Sequence, residues 1–346
     1  MAKRKDSQNV KLNAAKQAKN DEFYTQMPDI AREVSRYTSQ LKGKVILCNC
    51  DDPYESNFFK YFAMQFNFLG LKKLIASCYA GSPFANTELS LFDNELPENK
   101  TTRVPYKIEI AEVEDCGGDG VINSADVENL LRNKKNVLTR LKVDGDFRSS
   151  ECIALMQQCD VVITNPPFSL FREYVGQLME YKKQFLVIGN KNAITYREIF
   201  SFIKANRLWL GCTSPQEFIL PDGTTSKQVQ GLCRWFTNLD TPKRHEELTL
   251  YKHYTPAEYP TYENYDAIDV SKVSEIPMDY DGVMGVPITF IDKYNPEQFE
   301  IVGHMHSGDY SPAVEALRTN PKRRHRGILP GRTEEIYARI LIRKRV

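Results

Sequence analysis

This 346-residue sequence has no long apolar run, no paired cysteines and no dominant charge, and each absence removes a class of function. Its eight cysteines include no C-x-x-C pair and no histidine at ligand spacing. That argues against a zinc site or a disulfide framework, and no metal is expected. Cys48 and Cys50 alternate along one apolar strand, while Cys78, Cys152, Cys159, Cys212 and Cys233 stand singly in apolar surroundings. They are expected as buried, reduced thiols. The N-terminus is charged and lacks an apolar leader, and no apolar run approaches the length of a bilayer span, so no membrane partner and a cytoplasmic location are expected. Lys and Arg number 46 against 45 acids, a formal net charge of +1. Bulk charge therefore does not demand a nucleic-acid partner. No internal repeat is visible.

What the sequence does contain is Asp160-Val161-Val162-Ile163-Thr164-Asn165-Pro166-Pro167-Phe168. A continuous apolar run stopped by two prolines reads as a central strand whose last residue leaves the sheet, placing the Asn165 amide at the carboxyl edge. The prolines fix φ and remove backbone donors, so the carbonyls of Asn165 and Pro166 and the Asn165 side-chain oxygen are left as acceptors. Such a group suits an exocyclic amine. An aryl amine is a poor nucleophile because its lone pair is delocalised into the ring. Two acceptors holding its two protons draw that pair toward sp³ and aim it at an electrophile, and Phe168 supplies a face for a planar base.

At this length a catalytic domain plus an appendage is the natural expectation. Strand-like runs at 44–48, 73–77, 137–141, 161–163 and 184–189 alternate with amphipathic segments such as Ser56 to Leu69 and Phe171 to Tyr181. This is the pattern of a parallel α/β sheet, whose ligands bind outside the strands' carboxyl ends, where Asp51, Asp146 and Asn165 fall. A helix from Tyr196 to Lys204, a strand at Arg207 to Gly211, a turn at Pro221-Asp222-Gly223 and a strand at Gly231 to Thr237 follow. The last two strands read as the antiparallel hairpin that closes such a sheet. From about 241 to 300 the sequence is rich in Tyr, Pro, Asp and Glu with few helical periods, and a second, irregular α+β domain is expected there. The boundaries read as 1–240, with an insertion at about 83–136, and 241–346.

Two segments carry alternative readings. Asp115 to Asp126 nearly fits a calcium loop, with Asp115, Asp119, Gly120, Ile122 and Asp126 at the expected positions. Gly117 fails as the third-position ligand, and Val104 to Val113 alternates like a strand, so a hairpin-like insertion with a capped helix near Ser124 is preferred. The basic run through Arg318, Lys322, Arg323, Arg324 and Arg326 to Arg343-Lys344-Arg345 is either a solvated face or a nucleic-acid contact.

The chain resembles the N6-adenine DNA methyltransferases with an Asn-Pro-Pro-Phe motif, and most closely the EcoRI-type adenine-specific enzymes. The likeness rests on Asn165 to Phe168, on Asn20 to Gln26, which contains Phe23-Tyr24-Thr25, on Cys48 to Phe58, on Val143 to Phe147 with its Gly-Asp-Phe turn, and on Gly285 to Phe290. The resemblance implies a Rossmann-like class I methyltransferase sheet, mostly parallel, with a C-terminal target-recognition domain. It implies S-adenosylmethionine as cofactor and double-stranded DNA as partner. It also implies a restriction endonuclease as a functional counterpart without physical association.

By that resemblance Asn165, Pro166, Pro167 and Phe168 are catalytic on a flipped adenine, with Asn165 also lining the cofactor. Tyr24 and Thr25 hold the cofactor's carboxylate, Asp51 or Asp52 its ammonium, Asp146 its adenine amino group, and the Phe147 amide its ring nitrogen. Arg323, Arg324 and Arg326 are expected on DNA phosphates, since Asn320 to Gly327 reads as a loop. The chain departs from the pattern in lacking Gly-x-Gly after the first strand and an acid after the second, Ser77-Cys78-Tyr79, so the ribose contact is unassigned. The alternatives are methylation of RNA adenine or of a protein glutamine amide, and a non-catalytic DNA-binding protein on the same scaffold.

Overall fold

The computed structural model describes residues 24–50, 52–53, 56–79, 105–118, 121–132, 139–216, 218–219, 225–226, 231–305, 311–319 and 326–345. Internal contacts divide the chain into two compact units, Met1–Ile194 with Gly211–Leu239, and Thr195–Leu210 with Asp240–Val346.

In the first unit the apolar runs become strands. In chain order they are β1 (Tyr24–Thr25), β2 (Val45–Cys48), β3 (Lys73–Ser77), β4 (Tyr106–Ile110), β5 (Thr139–Arg140), β6 (Val161–Thr164) and β7 (Gln184–Asn190). β8 (Trp209–Leu210) falls in the second unit, and β9 (Phe218–Ile219), β10 (Thr225–Ser226) and β11 (Cys233–Thr237) return to the first. The main sheet of this unit runs in the order β5-β4-β3-β2-β6-β7-β11. Strands β3, β2, β6 and β7 are parallel neighbours. β2 and β6 are buried at every position, as continuous aliphatic runs require when both faces of a sheet are covered. β11 pairs antiparallel with β7, putting Trp235 opposite Ile188.

The insertion differs from the hairpin expected of it. β4 joins the main sheet, antiparallel to both β3 and β5. Its alternation explains this: Tyr106, Ile108 and Ile110 are buried, while Lys107 and Glu109 are half-buried. Glu109 accepts from Lys107 at 2.7 Å and from Lys73 of β3 at 2.5 Å, a cross-strand charge pair that fixes the register. The helix expected near Ser124 spans Ser124–Arg132, with Asn123 Oδ1 accepting from the Ala125 amide at 2.8 Å. Asp126 is spent on backbone amides, those of Asn123 at 2.9 Å and Cys116 at 3.1 Å. Asp119 and Gly120 lie outside the described residues.

The segment Ser56 to Leu69, read as one helix, is two. Ser56 Oγ accepts from the Phe59 amide and caps Asn57–Met64; Phe66–Leu69 follows, and Gly70 at φ +60 ends it. Burial pushes the Cys159 and Cys233 thiols up to about 12, which keeps them protonated at neutral pH. Cys116, by contrast, is exposed and Cys50 and Cys212 are half-buried, so the expectation of buried thiols holds only in part. Among the described residues no group of three or more His, Cys, Asp or Glu could hold a metal ion, and no helix is long and apolar enough to cross a membrane.

The second unit holds a four-stranded sheet in the order β12 (Ile268–Asp269), β13 (Met284–Pro287), β15 (Arg339–Lys344), β14 (Phe299–His304). Its polar centre is Asp269, which accepts from Tyr262 Oη at 2.5 Å and from Arg339 Nε at 3.1 Å. The helix Arg197–Lys204 belongs here, with Lys204 Nζ donating to the Val302 carbonyl at 2.6 Å. The Arg244 guanidinium lies 3.6 Å over the Trp209 ring of β8. Much of the basic tail is part of this framework. Arg343 and Lys344 are strand residues that face Glu300 at 3.8 Å and Asp281 at 3.4 Å, and the nearly buried Arg318 pairs with Glu315 at 3.1 Å.

Candidate active site in the first unit

β2 and β6 are parallel neighbours, so Asn49 and Asn165, the residues that follow them, leave the same edge of the sheet side by side. Thr164 Oγ1 donates to the Asn49 carbonyl and ties the two exits together. Asn165 is 7% exposed and Pro166 is buried, while Pro167 and Phe168 are half-buried. The turn then tightens into a 3-10 segment, Phe168–Leu170, closed by Leu170 N donating to the Pro167 carbonyl at 3.0 Å. Phe168 packs on the main core cluster. The far side of the turn is set by Gly189 of β7. A Cβ there would come within 2.4 Å of the Phe171 ring, so only glycine lets the helix Phe171–Glu180 sit this close to the sheet.

The turn after β2 takes the place of the Gly-x-Gly that the sequence lacks. Cys50 adopts φ +82, a left-handed conformation that non-glycine residues seldom take, and so makes the backbone reversal itself. Asp51 lies outside the described residues. Asp52 is buried, its two oxygens receiving Tyr106 Oη at 2.8 Å and Cys78 Sγ at 3.3 Å.

Asn49 is the residue that motif reading missed. It is 3% exposed, and its Oδ1 accepts from Tyr174 Oη at 2.5 Å, leaving Nδ2 with no hydrogen-bond partner among the described residues. Burial raises the Tyr174 hydroxyl well above its ordinary pKa, so it remains a donor. The Tyr174 ring meets the Phe147 ring edge-on at 5.0 Å, and Gln177 Nε2 donates to the Phe147 carbonyl at 3.2 Å. One helix thus links the Asn165 side of the edge to the Gly145-Asp146-Phe147 turn. The available signal was Tyr174 and Gln177, two polar-tipped residues at i, i+3 on one helical face.

The Gly145 turn crosses the end of β3. Gly145 has φ +77, and a Cβ on it would lie 2.3 Å from the Cys78 carbonyl oxygen, so the position requires glycine. Asp146 accepts from Arg148 Nε at 2.8 Å, from Arg148 Nη2 at 2.6 Å and from the Arg148 amide at 2.9 Å. Hydrogen bonding to this guanidinium holds its carboxyl below the usual range. Arg148 also reaches Glu173 at 3.4 Å. Helix capping falls to Ser149, whose Oγ accepts from the Cys152 amide at 3.3 Å.

Thr25 lies in β1, paired with Phe218 of β9. Its side chain is buried and Oγ1 has no hydrogen-bond partner among the described residues; its carbonyl accepts from Asn57 Nδ2 at 2.8 Å. Tyr24 contributes backbone to β1, and its side chain lies outside the described residues. Two buried acids of the helix Met27–Val34 hold the segment that leads into β9. Glu33 accepts from the amides of Cys212 at 2.8 Å and Thr213 at 2.6 Å, and Asp29 from the amide of Gln216 at 2.7 Å.

The nucleic-acid candidates belong to the second unit. Arg323 and Arg324 lie outside the described residues. Arg326 is half-buried, its amide donating to Glu335 Oε1 at 3.1 Å and its carbonyl accepting from Asn264 Nδ2 at 2.8 Å.

An amide-Pro-Pro-aromatic turn stands at the carboxyl edge of a central parallel strand, with the buried donor Asn49 Nδ2 at the neighbouring exit, and the comparisons with known proteins place the chain in the methyltransferase class. Residues 11–345 match the family model for the adenine-specific methyltransferase EcoRI. Over 321 residues the chain is 44% identical to the Type II methyltransferase M.EcoRI of Escherichia coli, covering 86% of this chain and 90% of that protein. It is 37% identical over 356 residues to the Type II methyltransferase M.MpnI of Mycoplasma pneumoniae, covering 96% of this chain and 98% of that one. A Type II methyltransferase of Mycoplasma genitalium is 34% identical over 355 residues, with the same coverage. No solved structure matches. The chain belongs to the EcoRI family of adenine-specific DNA methyltransferases.

Proposed function

We propose that this enzyme takes a methyl group from S-adenosylmethionine and delivers it to N6 of an adenine turned out of duplex DNA. The observation that carries this reading is Asn165, a buried amide at the exit of the central strand, followed by a turn whose prolines leave only acceptors. Asn165 Oδ1 and the Pro166 carbonyl hold the two N6 protons and direct the amine's lone pair out of the ring plane. As the new nitrogen–carbon bond forms, the donor's sulfur–methyl bond would break to leave a neutral thioether, and one N6 proton would pass by way of its acceptor to solvent. Phe168 stacks on the base, and extrusion of the adenine costs a few kcal/mol of lost stacking and pairing.

When bound, S-adenosylmethionine supplies a methyl group activated by its sulfonium. The residues present fit such a ligand, because Thr25 Oγ1 and Asn49 Nδ2 are buried polar atoms with no partner among the described residues, at or near the edge where it would lie. Thr25, with Tyr24, holds the carboxylate. The ammonium falls to Asp51 or to Asp52, whose oxygens each receive one donor, Tyr106 Oη and Cys78 Sγ, and so keep acceptor capacity. Asp146 retains lone pairs beyond those used by Arg148 and accepts from the adenine amino group, while the Phe147 amide meets the ring.

The second unit serves target recognition, with Arg323, Arg324 and Arg326 on phosphates. The work is done in the cytoplasm, and the Type II names of the relatives support a restriction endonuclease as functional counterpart. The test is transfer of labelled methyl from S-adenosylmethionine to duplex DNA, RNA and protein in parallel. Label recovered as N6-methyladenosine from RNA alone, or on glutamine alone, would replace this reading.

A further inference from the structure

Asn49 leaves a buried parallel strand with its side chain still inside the protein. A side-chain amide brings an acceptor and a pair of donor hydrogens, and a buried donor left unpaired costs free energy that folding does not recover. The acceptor is satisfied. Asn49 Oδ1 accepts from Tyr174 Oη at 2.5 Å, a separation within the O–H···O range and shorter than N–H···O bonds reach. The contact therefore fixes which way the amide is turned, with oxygen toward Tyr174 and Nδ2 away from it. Nδ2 has no hydrogen-bond partner among the described residues.

Tyr174 can hold that orientation because its own position is fixed. It is fully buried, its ring meets Phe147 edge-on at 5.0 Å, and the Cys50 side chain is a further neighbour of its hydroxyl. One turn along the same helix, Gln177 Nε2 donates to the Phe147 carbonyl at 3.2 Å. The hydroxyl thus sits against the turn after β2, where Cys50 takes its left-handed conformation.

The surroundings select what Nδ2 meets. Thr164 Oγ1 donates to the Asn49 carbonyl, so Asn49 adjoins Asn165, where the methyl group is delivered. The adenine of the methyl donor is assigned to the Phe147 turn, across the end of β3, which leaves its amino-acid end near β2 and β6. The turn that Asn49 opens leads into the helix Asn57–Met64, whose first residue donates from Nδ2 to the Thr25 carbonyl at 2.8 Å. Asn49 and Thr25, each with a buried polar atom lacking a partner among the described residues, therefore flank one turn. At the amino-acid end the acceptor is the carboxylate, and a charged acceptor is the one that best offsets a buried N–H.

We infer that Asn49 Nδ2 donates to the carboxylate of the methyl donor, and that Tyr174 is a positioning residue that acts through Asn49 by holding the amide in its donating orientation. This rests on the proposed use of S-adenosylmethionine and adds to its site a residue from the helix that follows the Asn165 turn.

The test uses the full-length enzyme and calorimetric affinities for two ligands, S-adenosylhomocysteine, which keeps the amino-acid end, and methylthioadenosine, which lacks it. Asn49→Ala should weaken S-adenosylhomocysteine by about ten- to a hundredfold, the range for a hydrogen bond to a charged partner, and leave methylthioadenosine unchanged. Asn49→Asp can still accept from Tyr174 but has no N–H to give, and should lose at least as much. Tyr174→Phe removes only a hydroxyl and should weaken S-adenosylhomocysteine by about two- to tenfold. It should raise the KM for S-adenosylmethionine while kcat on duplex DNA stays near wild type. Added to Asn49→Ala, Tyr174→Phe should cost nothing further, whereas losses that multiply would make Tyr174 a merely structural residue and overturn its role. Wild-type binding of S-adenosylhomocysteine by Asn49→Ala, or equal losses of both ligands, as a contact to the ribose would give, would overturn the inference. Wild type that fails to bind S-adenosylhomocysteine would instead overturn the cofactor reading on which it rests.

Discussion

After β6 the chain leaves the sheet through Asn165, Pro166 and Pro167, whereas after β5 it passes over the end of β3 through Gly145, Asp146 and Phe147. The first turn is rigid because of what its residues are: a buried strand feeds two prolines, and one hydroxyl bond from Thr164 ties it to the neighbouring exit. The second is rigid because of what surrounds it. Gly145 fits only against the Cys78 carbonyl, Asp146 is gripped by Arg148, and Phe147 is held by Tyr174 and Gln177 from another element. A site can therefore combine a turn that carries its own geometry with one that borrows it. The proposed division of labour follows the same line, with the amine at the first turn and the donor's adenine at the second.

That contrast can be broken at the glycine. Gly145→Ala places a methyl group where a backbone oxygen stands and forces φ +77 on an L side chain. It should destabilise the fold by about 2 to 5 kcal/mol, the sum of a left-handed alanine and an overpacked contact. Urea unfolding with an unchanged slope would register it, and wild-type stability would mean the turn is not seated on β3.

Asp146→Ala sharpens the contrast by sparing the backbone. It should weaken S-adenosylmethionine binding by about 1.5 to 3 kcal/mol, the range for a hydrogen bond to a charged partner, with the rate at saturating donor nearly unchanged. Calorimetry on wild type and variant checks this. Equal affinities would reduce Asp146 to an anchor for Arg148.

The smallest effect belongs to the other unit. Arg343→Ala removes a half-exposed pair with Glu300 and should cost about 0 to 1 kcal/mol of stability without changing duplex affinity. A large loss of DNA binding would return the end of the basic run to the nucleic-acid contact that its placement within β15 argues against.

Much of this was legible in the sequence because it is local. The strands at 44–48, 73–77, 161–163 and 184–189 appear within a residue or two, since each is a continuous apolar run between turn residues. Asn165 to Phe168 announces its own geometry through its prolines. The insertion's alternation marked a strand correctly, but joining the main sheet depends on a Lys73–Glu109 pair 36 residues apart. The role of Asn49 was hidden for the same reason, its partner Tyr174 being 125 residues away. Charge counting treated Arg318, Arg343 and Lys344 as one surface with Arg323, Arg324 and Arg326. Composition does not register that the first three are paired with Glu315, Glu300 and Asp281.

The central claim is that the Asn165 turn performs the transfer while other residues hold the donor. Asn165→Ala, assayed for S-adenosylmethionine affinity and for single-turnover methyl transfer to duplex DNA, tests it most directly. Donor affinity should stay near that of wild type while the transfer rate falls at least about a hundredfold, corresponding to roughly 3 kcal/mol of lost transition-state stabilisation. Near-normal turnover in this variant would contradict the account.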